Sequence, residues 1–289
     1  MDLIHAHPNN SYEGIGISLP GRIDASLQRL IFSPALGWSD VDLKTPIERA
    51  IGLPVELENA ANACALAELW SGHHANESSN LLAVTVSDGI GVGMIMNGQL
   101  VRGSKGVAGR IWPCSSSAGR PPSVFAVIAA AGKCWRPNAA AVRYYAESVS
   151  VRKGEVGSKS AMATVPFTAI LQLAAQGDPK ACKALNQMAH HLGIGIAMLV
   201  TGLAPDVVVV VGEVTRAWDM VGPIVNEAVK SRSFTHAATR ILATDPEAQP
   251  RLRGTIALVL QKTFRSPNYC MNNNQHKACL IDYFVRRTN

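Results

Sequence analysis

A chain of 289 residues, 47% hydrophobic and 17% charged, is long enough for two lobes and too apolar for a disordered polymer. Its net charge of +6 is concentrated: Arg110–Pro137 holds Arg110, Arg120, Lys133 and Arg136 with no acid, and Arg265–Asn289 carries a net +3. The rest is close to neutral, which argues against a nucleic-acid face. The longest apolar runs, Val207–Val211 and Ile194–Val200, fall far short of a bilayer, and the first residues have no basic segment followed by an apolar one. Six scattered cysteines (Cys64, Cys114, Cys134, Cys182, Cys270 and Cys279) show no CxxC and no pairing pattern. The expectation is a cytoplasmic protein with free thiols and no membrane contact.

In chain order, Glu13–Leu19 alternates glycine with isoleucine and runs into Pro20-Gly21: a strand and a turn. Arg29–Phe32 reads as a short strand, Thr45–Ile51 as a helix opened near Pro46, and Pro54–Leu57 as a strand. Asn59–Trp70 is an alanine-rich helix with Asn59 as its cap and Gly72 as its stop. Leu81–Val86 and Gly93–Met96 pair as strands, and Asn97-Gly98 turns the second into Gln99–Arg102. Helices follow at Asn138–Ser148, Val165–Gln176 and Pro179–Leu203. Asp206–Val211 is a fully buried strand, and Pro223–Lys230 and Arg253–Phe264 are closing helices. Strands alternate with helices, so the class is α/β.

Four segments in this order carry a resemblance. They are Gly14-Ile-Gly-Ile-Ser-Leu-Pro-Gly21, Leu53-Pro-Val-Glu-Leu-Glu-Asn-Ala-Ala-Asn62 with Glu68, Thr85-Val-Ser-Asp-Gly-Ile-Gly-Val-Gly93 with Asn97-Gly98, and Leu192-Gly-Ile-Gly-Ile-Ala running to Ala204-Pro-Asp206 and Gly212. Over about residues 11–264 the chain resembles the ROK family of repressors, open reading frames and sugar kinases, closest to its regulators that lack the catalytic Asp. The resemblance implies an actin-like ATPase (ribonuclease H-like) fold of two lobes, with sugar between them and nucleotide phosphates on glycine turns. It implies a smaller N-terminal lobe from residues 1–58, incomplete at its front and joined by the helix 253–264. A larger lobe spans 59–238 and a tail 265–289. It places Pro20, Gly21, Asn59 and Asn62 at the sugar and implies homodimerisation.

Departures from the family pattern are informative. Kinases of the family have Asn-Asp-Ala-Asn where this chain has Asn59-Ala60-Ala61-Asn62, and the Asp is the base that takes the sugar hydroxyl proton. A methyl group accepts no proton, so Ala60 leaves a helix former and no base. The phosphate turn, Thr85, Asp88, Gly89 and Gly91, carries Ser87-Asp88-Gly89 where the kinases have Gly-Thr-Gly, and a carboxylate repels an anion unless Asp88 is an ordinary turn residue. The adenosine site's Gly-Gly appears as Gly212-Glu213. The family's Asp-x-Gly-Gly-Thr string does not occur in these residues, and with only a few residues before Glu13 the winged helix–turn–helix of the family's regulators is not expected. Intact family kinases take ATP, magnesium and structural zinc; none is expected here.

One interval reads as a shifted frame. After Ala108-Gly109 the family continues Glu-x-Gly-His into a Cys-rich zinc loop, but here Arg110-Ile-Trp-Pro-Cys114 follows. GGA GAA TTT GGC CAT GT encodes Gly-Glu-Phe-Gly-His and, from its third base, Arg-Ile-Trp-Pro-Cys. Val124–Arg136 back-translates the same way into Val-Arg-Gly-Asp-Arg-Gly-Cys-Trp-Glu-Val-Leu-Ala. Two compensating indels bracketing Arg110–Pro137 account for the segment's basic, acid-free composition; the alternative is a divergent loop. Cys114 and Cys134 are then not ligands, and the neighbouring pairs His73-His74 and His190-His191 lack metal-ligand spacing. The functional expectation is a sugar-binding effector domain of a ROK-type regulator, without kinase activity and without a DNA-binding domain. The alternatives are an ATP-dependent, glucokinase-like sugar kinase or a decayed fragment.

Overall fold

The computed structural model describes residues 11–71, 78–87, 89–106, 108–109, 137–150, 165–232 and 239–263. The chain divides into two compact units, one of residues 1–83, 93–109 and 249–289 and the other of 84–92 and 110–248. Asp88 and the interval 110–136 therefore lie outside the described residues, as do all the cysteines except Cys64 and Cys182 and the pair His73-His74.

In the first unit, β1 (Ile15–Leu19) pairs in parallel with β5 (Val55–Asn59), from Ile15 opposite Val55 to Leu19 opposite Asn59. An antiparallel sheet of β2 (Arg22–Asp24), β3 (Arg29–Ser33) and β4 (Trp38–Val41) accompanies it. Ile23, Leu30, Val55 and Leu57 form a core on which Ile15, Ile17, Leu19, Val41, Leu43 and Ile47 pack, the last from α1 (Lys44–Ile51). Helix α2 (Ala60–Ser71) is buried on nearly all sides, which its alanines permit. Their small side chains admit α7 (Pro250–Thr263) at backbone contact: a Cβ on Gly254 would stand 1.8 Å from the Ala63 carbonyl oxygen. The same helix closes on β1, where a Cβ on Gly16 would stand 2.2 Å from the Thr255 oxygen.

A five-stranded sheet runs β10 (Arg240–Ala243), β9 (Val207–Val211), β6 (Leu81–Val86), β7 (Ile90–Met96), β8 (Gln99–Leu100). The division between the units falls within β6 and β7, after Ala83 and Val92. Asn97 and Gly98, with φ of 52° and 72°, make the hairpin into β8. In the second unit, α5 (Pro179–Leu203) packs against α3 (Pro137–Ser150), α4 (Phe167–Ala175) and α6 (Trp218–Lys230). Asp178 caps α5 by accepting from the N–H groups of Lys180 and Ala181, with Pro179 at its first position.

Two helices start three or more residues earlier than the sequence suggests. Helix α6 begins at Trp218 and takes Pro223 into its interior, because Val221, Val225, Ala228 and Val229 bury one continuous face. Helix α7 begins at Pro250, where a proline's missing N–H costs nothing. Among the described residues no helix is long and apolar enough to cross a membrane.

Candidate functional site

The corner between β5 and α2 is built around Glu58, Asn59 and Asn62. Asn59 ends β5, its Oδ1 accepts from the Ala61 N–H at 2.9 Å, and its Nδ2 donates to the Gly21 carbonyl at 2.6 Å. One side chain thus caps a helix and ties it to the Pro20-Gly21 turn. Gly21 has φ of +137°, and a Cβ there would meet the Phe32 oxygen at 2.6 Å, so the turn tolerates only glycine. Pro20 is exposed, and Ala60, first residue of α2, is half-buried.

Asn62 is 5% exposed, and its Nδ2 donates to Glu58 Oε1 at 2.9 Å. The same oxygen accepts from the Asn59 N–H at 2.9 Å, while Arg102 Nε donates to Glu58 Oε2 at 2.8 Å. Glu58 is 4% exposed. In the sequence Glu58 stands within the Leu53–Asn62 motif and Arg102 at the end of a strand, and neither carries an expected role. Their signal was an acidic residue in a short strand just before the Asn-x-x-Asn run, with an arginine shortly after a hairpin.

Thr85, Gly89, Gly91 and Gly212 come together in the second unit. Thr85 Oγ1 donates to the Gly91 carbonyl at 3.1 Å, and the Ser87 N–H donates to the Gly89 carbonyl at 3.0 Å, folding the turn between β6 and β7. Gly212 leaves β9 with φ of +134°, and a Cβ there would lie 2.0 Å from the Val86 oxygen, so this glycine sits against the end of β6. Its own carbonyl accepts from the Thr215 N–H and hydroxyl at 3.0 and 2.9 Å. The missing side chain of Gly212 lets the end of β9 close on the end of β6, and Glu213 beside it is exposed.

The described residues contain no group of three or more His, Cys, Asp or Glu able to hold a metal. Cys64 is fully buried and its thiol is pushed up to about 12, chiefly by burial, so it is no nucleophile. Among the described residues the first unit's corner offers amides, one buried carboxylate and a guanidinium; Ala60 contributes no proton acceptor.

The chain is α/β, with a capped Asn-x-x-Asn corner in one unit and a glycine turn against a strand-end glycine in the other, and its structural neighbours are ROK proteins of the actin-like ATPase class. The chain belongs to the ROK family, whose family model matches residues 2–262. It is 30% identical over 241 residues to the xylose repressor of Bacillus subtilis (strain 168), covering 81% of this chain and 59% of that protein. Its fold is similar to that of a ROK glucokinase from Streptomyces griseus solved with glucose and AMPPNP: TM-score 0.68, 25% identity, 91% of this chain and 87% of that one. A ROK transcriptional regulator homologous to the Escherichia coli MLC protein shares the fold with a TM-score of 0.71 and 21% identity, over 90% of this chain and 65% of that one. The chain spans about three-fifths of the length of the curated repressors it matches.

Proposed function

We propose that this chain is the sugar-binding effector part of a ROK-type transcriptional regulator and that it transfers no phosphate. One observation carries the reading: Ala60 stands at the first position of α2, between Asn59 and the buried Asn62, where the family's kinases hold their base. The amides that suit sugar hydroxyls are retained and held in place, while the group that would deprotonate a hydroxyl is absent. The repressor likeness supports the regulator class, and the glucose named with the similar glucokinase supports a monosaccharide ligand. A second reading, an ATP-dependent sugar kinase, draws on that same glucokinase likeness and on the folded turn between Thr85 and Gly91; Ala60 speaks against it.

Isothermal titration calorimetry of the chain with D-xylose, D-glucose and N-acetyl-D-glucosamine tests the proposal. Saturable binding of at least one sugar, with no sugar phosphate formed on adding ATP and magnesium, is expected. No heat with any of the three would overturn the sugar-binding reading.

A further inference from the structure

The carboxylate of Glu58 is the joint of the β5–α2 corner. Its side chain is 5% exposed, and its oxygens divide their work: Oε1 accepts the Asn59 backbone N–H and the Asn62 amide, while Oε2 accepts Arg102 Nε. Arg102 is 34% exposed and arrives from 44 residues away in sequence, just beyond β8. Its carbonyl accepts from the Ala108 N–H at 3.1 Å, and the intervening turn Ser104–Gly106 lies on β2, where a Cβ on Gly106 would stand 2.3 Å from the Ile23 oxygen. Arg102 is thus fixed from behind by its own loop and reaches forward to the carboxylate on which both asparagines depend.

We infer that Arg102 is a positioning residue of the sugar site, acting through Glu58 to hold the Asn62 amide and the entry of the chain into Asn59. The inference rests on the sugar-binding reading. A buried carboxylate must be compensated, because the interior offers it no water. With Arg102 removed, Oε2 loses its charged donor. The carboxylate then turns to share its two remaining neutral donors, or draws in water, and either change moves Asn62. Glutamine at position 58 has no charge to compensate and keeps one acceptor oxygen for the Asn59 N–H and the Asn62 amide. Neutralising Glu58 therefore offsets the loss of Arg102, which no account of Arg102 as a mere surface tether predicts.

The test uses the full chain, calorimetric titration with D-xylose and D-glucose, and urea denaturation of each variant. For the sugar that the wild type binds, Arg102→Met weakens affinity about tenfold, and Arg102→Met combined with Glu58→Gln recovers to within about threefold of wild type. Arg102→Lys keeps a charge without the Nε donor and falls between the two, and it is the variant read if Arg102→Met does not fold. Wild-type affinity in Arg102→Met, or in Arg102→Lys where that one is read, overturns the inference. So does an affinity loss that Glu58→Gln leaves uncorrected while the urea midpoint falls in parallel. Absence of binding by the wild-type chain overturns the sugar-binding reading itself, a result separable from failure of the variants alone.

Discussion

Gly212 leaves β9 in a backbone conformation that side chains rarely adopt, with the Val86 carbonyl 2.0 Å from where its Cβ would be. Gly212→Ala adds backbone strain to a clash with main chain that has nowhere to move, and should lower stability by about 3 kcal/mol, read from the urea midpoint. Cys64 gives a second prediction at this scale. Burial raises its thiol to about 12, with Glu68 adding to the effect and Arg251 opposing it. At pH 8 only roughly one thiol in ten thousand is ionised. Iodoacetamide should leave the Cys64 peptide unmodified in the native chain and label it in 8 M urea, as followed by mass spectrometry; rapid native labelling would show that α2 opens locally. Glu56 and Glu58 mark the limit of reading residues alone. Val55-Glu56-Leu57-Glu58 alternates as if one face met water, yet both glutamates are buried and paired, Glu56 with Lys262 and Glu58 with Arg102. The partners lie 206 and 44 residues away, so the alternation within β5 does not reveal the pairing.

Elements with strong period or strong punctuation were legible in the sequence. The all-valine β9, the proline-opened α5 and the Asn-Gly hairpin after β7 fall where their residues demand. The elements that escaped were short and carried little apolar alternation: β2 is three residues, β4 is Trp-Ser-Asp-Val with three of its four residues exposed, and β10 is four residues. β2 and β10 each bury a single isoleucine, Ile23 and Ile241, which is too little periodic signal to mark a strand, so only the pairing in the fold reveals them. Helix α5 carries an element-scale prediction. His190 is held below its ordinary value, first by burial and then by Arg232 and His191, while the ring of Tyr144 on α3 stacks against His191 with Arg143 over it. A histidine that prefers to be neutral when folded binds more protons when unfolded. Its contribution is therefore complete above the unfolded value of 6.5 and is lost as pH falls from there toward the lower folded value. His190 is largely exposed, so solvent screens the effect and the slope is shallow. Urea midpoints should drop between pH 7.5 and pH 5.5, and His190→Asn should flatten that drop; an equal or steeper drop in the variant would exclude His190 as its source.

At the scale of the whole molecule, the ordered set of glycine and asparagine segments made the family legible, because the segments report close backbone approaches: Gly21 and Gly212 beside strand ends, and Gly193 within α5, where a Cβ would meet Ala228 of α6. Chemistry is a question of whether those segments still act together. Phosphoryl transfer needs the attacking hydroxyl deprotonated, the phosphates neutralised and both groups aligned, and these requirements multiply. On the proposed reading, Ala60 removes the first, and Asp88 introduces negative charge into the sequence of the turn that would serve the second. With ATP, magnesium and a panel of hexoses, pentoses and N-acetylhexosamines, sugar phosphate should stay at background in a coupled assay. Ala60→Asp is the decisive variant. It returns a carboxylate to the first turn of α2, where the helix N-terminus favours it and Asn59 already caps the backbone, so the fold should be retained. Because a base alone contributes about two to four decades of rate and cannot supply charge neutralisation, Ala60→Asp should leave turnover at background while sugar binding persists. Clear phosphorylation by that single variant would mean the nucleotide site is competent as it stands, and the chain would then be one substitution away from a kinase rather than a sensor in both halves.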